Sequence, residues 1–196
     1  VVIDNKPGGN GVIGIREALK ARPDGYTLLM GAVGASLTPA LMQPNYPFDP
    51  LRDYAPVAMI AEWSAVLVIK KDIPATTLAE FIAYAKANAG KLSYGSAGPG
   101  TLTHLAMEQL KVASGTDMQH VAYRGIGPAI TDILGGQTQA LFPGLAAALP
   151  HIKAGKMRPL AVTGIKRHPL LPDVLTFEEL CYKGFDGVPW YGIVAH

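Results

Sequence analysis

The chain has 196 residues, 49% of them apolar and 16% charged, with a formal net charge of +2. That balance excludes a disordered chain, and no apolar run approaches the ~20 residues that span a bilayer. Basic residues are scattered rather than gathered into a stripe that neutralises a phosphate backbone, so nucleic acid is not an expected partner. The single Cys181 excludes an internal disulfide framework and a multi-cysteine metal site.

In chain order, short apolar or β-branched runs alternate with segments of helical period, the pattern of βαβ units and a largely parallel sheet. Strands are expected at Val1–Ile3, Tyr26–Met30, Val57–Ile60, Val66–Ile69, Leu92–Tyr94, Gln119–Val121, Ala140–Phe142, Leu160–Thr163 and Gly192–Ala195. After the first of them, Gly9-Asn10-Gly11-Val12-Ile13-Gly14 formally matches the dinucleotide fingerprint G-x-G-x-x-G. The acid that would hold a ribose is missing where the next strand ends in Gly31-Ala32-Val33-Gly34, so a tight turn with close helix packing is the better reading. The Pro-rich stretch from Pro39 to Pro56 is expected as an irregular connection.

The helices carry clear start and stop signals. Thr77 with Glu80 makes a capping box ahead of the stripe Leu78, Phe81, Ile82 and Ala85, and Gly90 supplies the stop. Leu102, Leu105, Ala106, Leu110 and Ala113 form a second apolar face closed by Gly115. Pro128 suits the first turn of a helix carrying Ile130, Ile133 and Leu134, which ends at Gly135-Gly136. Thr176 with Glu179 repeats the capping box, and Cys181 just beyond it is expected as a small buried apolar group. The chain opens on Val1-Val2-Ile3 without an initiator Met and closes on Tyr191-Gly192-Ile193-Val194-Ala195-His196, which reads as an unfinished strand. A piece of a longer protein is therefore expected, and a leader upstream is compatible with it.

The most informative stretch for chemistry is Ser93-Tyr94-Gly95-Ser96-Ala97-Gly98-Pro99-Gly100-Thr101, a strand end running through a Gly-rich loop into a helix. The first amides of a helix lack internal acceptors and carry the positive end of its dipole, and glycines let a ligand approach the backbone, so this geometry collects anions. Ser96 and Thr101 add hydroxyl donors. The bland reading is a plain Gly-rich turn with a capping Thr. His104 in the following first turn is either a polar neighbour of the ligand or a surface helix residue. Tyr123-Arg124-Gly125 again follows a strand, where Tyr123 lines a cleft or merely packs, and Trp63-Ser64 between two strands is a further cleft candidate, whereas Trp190 reads as core. A hydrolase centred on Ser96 fails the nucleophile elbow, because Tyr94 stands where G-x-S-x-G needs its first Gly. No H-x-x-x-H or comparable spacing suggests a metal.

Taken together, the order of segments resembles the substrate-binding proteins of tripartite tricarboxylate transporters, the Bug family of periplasmic receptors. The resemblance rests on Asn5-Lys6-Pro7-Gly8-Gly9 with Gly14, Pro23-Asp24-Gly25-Tyr26-Thr27-Leu28-Leu29, Tyr46-Pro47-Phe48-Asp49-Pro50, Tyr94-Gly95-Ser96 with Gly100-Thr101 and His104-Leu105, Tyr123-Arg124-Gly125 with Pro128-Ala129, Leu134-Gly135-Gly136-Gln137, Leu149-Pro150-His151-Ile152-Lys153-Ala154-Gly155-Lys156, and Leu171-Pro172-Asp173-Val174. It covers essentially the whole chain.

The resemblance implies an α/β, periplasmic-binding-protein-like fold: two lobes with mixed sheets, joined by crossing strands. Lobe 1 is expected at 1–65 and 185–196, and lobe 2 at 66–184. The family's opening strand and Pro/Gly-rich loop, and its helical tail, have no counterpart here, so lobe 1 is expected to be truncated. The implied role is that of a periplasmic, monomeric, non-enzymatic receptor without cofactor or metal. It would close on a small carboxylate (a dicarboxylate, an amino acid or a nicotinate-like acid) and then dock on membrane transporter subunits. On this reading Ser96, Gly98, Gly100 and Thr101 hold the carboxylate from lobe 2, with His104 nearby. Gly34 and Ser36 approach from lobe 1, and Ser64, Tyr123 and Phe142 tune specificity. Arg124 stands where the family usually has Lys, and Val33-Gly34-Ala35-Ser36 offers one hydroxyl where the family loop often has more. Two alternatives remain: a ligand-sensing module of a signalling system, and a hydrolase using Ser96.

Overall fold

Helices and strands follow the chain as α1 (Val12–Leu19), β1 (Leu28–Ala32), β2 (Ala55–Glu62), β3 (Val66–Lys70), α2 (Leu78–Ala87), β4 (Ser93–Ser96), α3 (Leu102–Ser114), β5 (Gln119–Ala122), α4 (Ile126–Gly135), β6 (Ala140–Leu141), α5 (Leu145–Lys153), β7 (Met157–Val162) and β8 (Trp190–Ala195). The computed structural model describes residues 1–6, 11–32, 38, 45–185 and 189–196. They fall into two units: Val1–Glu62, Gly100–Leu102 and Pro189–His196 form the first, and Trp63–Pro99 with Thr103–Val188 the second.

The second unit is built on a five-stranded sheet of order β5-β4-β6-β3-β7. Val66-Leu67-Val68-Ile69 has no polar residue to turn toward water, and all four side chains are 0% exposed. Their alternation divides them between two clusters. Leu67 and Ile69 join Leu78, Phe81, Ile82 and Ala85 of α2 and Ala106, Met107 and Leu110 of α3. Val66 and Val68 join Ala129, Ile130 and Ile133 of α4 and Leu145 and Ala148 of α5. The sheet therefore sits between two helical layers.

The first unit holds a three-stranded antiparallel sheet, β1-β8-β2, in which β8 is paired on both sides. Ile15 of α1 and Val194 of β8 are buried there.

The expectation of a largely parallel sheet is corrected. β4 pairs in parallel with β5 and β6, but β3 pairs antiparallel with β6 and β7. The four strands β4 to β7, linked in turn through α3, α4 and α5, share one direction as helical crossovers require. β3 leads into β4 through α2 yet runs opposite to it; the two are not neighbours, since β6 lies between them. Val1–Ile3, expected as a strand, is exposed and lies outside any strand.

Cys181 is also a correction: it is exposed, with φ +63°. The Thr176 capping box forms, with Thr176 N donating to Glu179 Oε2 at 2.8 Å and Glu179 N to Thr176 Oγ1 at 3.1 Å. The turn it starts closes at once. Tyr182 N donates to Phe177 O and Cys181 N to Glu178 O, both at 2.8–2.9 Å, a Schellman closure with Cys181 in the left-handed position. Gly115, Gly136 and Gly155 occupy the same position after α3, α4 and α5.

Candidate functional site

Strand direction gathers the candidates of the second unit at one edge of its sheet. β4, β5 and β6 end at Ser96, Ala122 and Leu141, and antiparallel β3 begins at Val66, so Ser96, Tyr123, Phe142 and Ser64 all follow or precede strands at that edge. Ligands of α/β sheets bind at such carboxyl ends. Backbone bonds hold the edge together. Val66 N donates to Pro143 O at 3.0 Å and Leu145 N to Ser64 O at 2.8 Å. Ala65 N donates to Thr163 Oγ1 at 2.9 Å.

The loop from Ser96 to Thr101 turns β4 into α3 through Gly98 at φ +129° and Gly100 at φ +74°, conformations that a side chain resists. Ser96 is fully buried, and its Oγ accepts from Gly98 N at 3.1 Å. Ala97 N donates to Thr103 Oγ1 at 2.9 Å, which ties the loop to the first turn of α3.

Period two and strand register bring a further group to Ser96. Tyr94 and Ser96 lie on one face of β4, and Tyr94 is the register partner of His120 on β5. The His120 ring stacks on Tyr94 at 5.0 Å and on His104 of α3 at 4.1 Å. Its Nε2 lies 2.6 Å from Ser96 Oγ. One and two turns along α3 from His104 stand Glu108 and Lys111, where Lys111 Nζ donates to Glu108 Oε1 at 2.8 Å and the Tyr94 hydroxyl also donates to Glu108.

The electrostatics follow from these contacts. Burial, then the carboxylate of Glu108, pushes the Tyr94 phenol well above its ordinary value, so it stays a donor. Burial opposes ionisation of Glu108, but hydrogen bonds from Lys111 and Tyr94 outweigh it and hold the carboxyl below its usual range. Burial and then the neighbouring His104 lower His120, with Glu108 acting the other way and Lys111 adding to the depression.

The remaining candidates separate. Tyr123 is half-buried and donates to Asp132 Oδ2 at 2.7 Å; burial and that carboxylate push its phenol up to about 12. Phe142 is 1% exposed and stacks with Phe177 and Phe185 at 5.5 and 6.2 Å, inside the core. Gly100 and Thr101 group with the first unit. Gly34 and Ser36 lie outside the described residues. Sequence reasoning missed His120: its own neighbours carry no signal, and only the β4–β5 register places it beside Ser96. Among the described residues, no three His, Cys, Asp or Glu side chains gather as a metal-binding set, and no helix is long and apolar enough to cross a membrane.

A family model described as the tripartite tricarboxylate transporter family receptor matches residues 1–196. The protein BugT of Bordetella pertussis is 35% identical over 196 residues, which is all of this chain and 60% of that protein. Among solved structures, Rpa4515 of R. palustris with adipate is 34% identical with a TM-score of 0.92, covering 99% of this chain and 65% of that one. MatC of Rhodopseudomonas palustris with bound malate is 28% identical with a TM-score of 0.86, covering 96% and 64%. The periplasmic binding protein BugD is 34% identical with a TM-score of 0.89, covering 100% of this chain and 65% of that one, so the fold is the α/β one of periplasmic binding proteins of this type, and the chain spans about three-fifths of the length of the curated relatives it matches.

Proposed function

Because the chain belongs to the tripartite tricarboxylate transporter receptor family, we propose that it is a periplasmic receptor that captures a small carboxylate and delivers it to membrane transporter subunits. The observation that carries this reading is the Ser96–Thr101 loop, at the carboxyl edge of the sheet and leading straight into α3. Backbone amides at a helix start, with the hydroxyls of Ser96 and Thr101, suit an anion without any Arg. Each charged hydrogen bond is worth ~1.5–3 kcal/mol, so three or four approach the ~8 kcal/mol of micromolar binding. The adipate and malate bound by the two solved relatives point to a dicarboxylate.

The Ser96–His120 contact at 2.6 Å invites the hydrolase reading again. Among the described residues no carboxylate is hydrogen-bonded to the His120 ring to orient it as a triad requires, which weighs against it. A hydrolase would turn over simple esters and lose that turnover in Ser96→Ala.

The receptor reading is tested by thermal shift against adipate, malate, monocarboxylates, nicotinate, amino acids, sugars and NAD. A rise confined to carboxylates is expected, and Thr101→Val should weaken binding roughly tenfold or more. A response to sugars or NAD alone would overturn it.

A further inference from the structure

A serine hydroxyl has one proton and two lone pairs. At Ser96 one lone pair is taken by Gly98 N–H at 3.1 Å, and His120 Nε2 stands 2.6 Å away. What remains depends on the ring. If Nε2 is bare, it draws the Ser96 proton to itself, and Ser96 then has nothing to donate to a ligand. If Nε2 carries a proton, the ring donates to the second lone pair, and the Ser96 O–H turns toward the loop, where Gly98 O lies at 3.3 Å. An anion at the loop would compete for that same proton.

The ring is not free to charge independently. His104 is stacked on it at 4.1 Å, so two imidazolium charges would face each other at close range. The other groups around the ring are Tyr94 on β4, which stays neutral, and Glu108 and Lys111 on α3, which are paired with each other.

We propose that His120 is a positioning residue for Ser96: the neutral ring is the Nδ1–H tautomer, whose bare Nε2 holds the Ser96 proton, and charging the ring turns the Ser96 hydroxyl toward the loop, so the loop binds a carboxylate together with a proton. The proposal rests on the loop assignment above. His120 is depressed below its ordinary value in the ligand-free protein, and a bound anion raises it. Between those two values binding takes up a proton, so affinity is highest at low pH and falls as pH rises, by at most about tenfold per pH unit for one proton.

The test is an NMR titration of the full chain from pH 4.5 to 8, following the histidine ring nitrogens and the Ser96–Gly98 amides, first without ligand and then with adipate. Without ligand, the Gly98 amide should move with the His120 ring. His120→Gln should flatten that movement, and His104→Gln should raise the His120 midpoint. A Gly98 amide that ignores the ring titration overturns the proposal whether or not adipate binds. With adipate, the His120 midpoint should rise; loop amides that respond while the midpoint stays put also overturn it. No response to adipate anywhere counts against the dicarboxylate reading and leaves the ligand-free result to decide the proposal.

Discussion

Two neighbouring strands carry almost the same residues and meet opposite fates. In β2, Val57, Met59 and Ile60 are 60%, 62% and 52% exposed; a few residues on, Val66 to Ile69 of β3 are 0% exposed. Both are short apolar runs bounded by turn-forming residues, and both form strands. The difference lies in what surrounds them. β3 is an inner strand with helices on each face, whereas β2 is an edge strand whose pairing with β8 is interrupted twice, between Pro56 and Ala58 and between Met59 and Ala61. Each irregularity reverses the in-and-out alternation along β2, and the regular strand β1 in the same sheet is open too, with Leu28 51% and Met30 64% exposed. Local sequence sets strand formation; burial is set by partners.

Truncating one apolar side chain in each unit should have very different costs. Phe177, fully buried and stacked at 4.3 Å on Phe185, should cost ~3–5 kcal/mol as Phe177→Ala, while Met59→Ala should cost less than ~0.5 kcal/mol. Urea unfolding followed by fluorescence reads both, with Trp63 in the second unit and Trp190 in the first. Equal losses would mean that exposure in β2 does not reflect how little that strand contributes.

A smaller effect is expected where the second unit is packed most tightly. A Cβ on Gly95 would lie 3.2 Å from Leu141 Cδ1, 3.3 Å from Tyr123 Cε2 and 3.4 Å from Ala129 Cβ. Gly95→Ala should destabilise by ~1–3 kcal/mol, because β4, β6 and α4 have no slack to give. A neutral result by thermal or urea unfolding would show a looser interior than the buried side chains imply.

The smallest expected effect is a gain. Cys181 is held at φ +63° in a closure that glycine performs at three other helix ends. Left-handed backbone costs a side chain about 1–2 kcal/mol, and glycine's greater freedom when unfolded returns part of it, so Cys181→Gly should stabilise by ~0.5 kcal/mol. A lower melting temperature would mean that the thiol makes a contact of its own.

Legibility followed the range of the interactions. The Thr77 and Thr176 capping boxes, the glycine stops and the stripe on α2 were readable because their partners lie within four residues. Cys181 was misread because a buried fate was inferred from residue type, when the turn around it is closed by bonds from positions 181 and 182. Phe142 belongs to the aromatic stack with Phe177 and Phe185, partners more than thirty residues away that no local pattern announces.

By itself the sequence determined the α/β class, the helices with their caps, and the Gly-rich loop entering α3, all of which depend on contacts between close neighbours in the chain. Tertiary structure alone decided the reversed direction of β3, the exposure of β2, and the meeting of Ser96, His120 and His104. Those depend on strand order and register, which bring residues 24 positions apart to 2.6 Å, and register is a property of two strands together, written in neither of them alone.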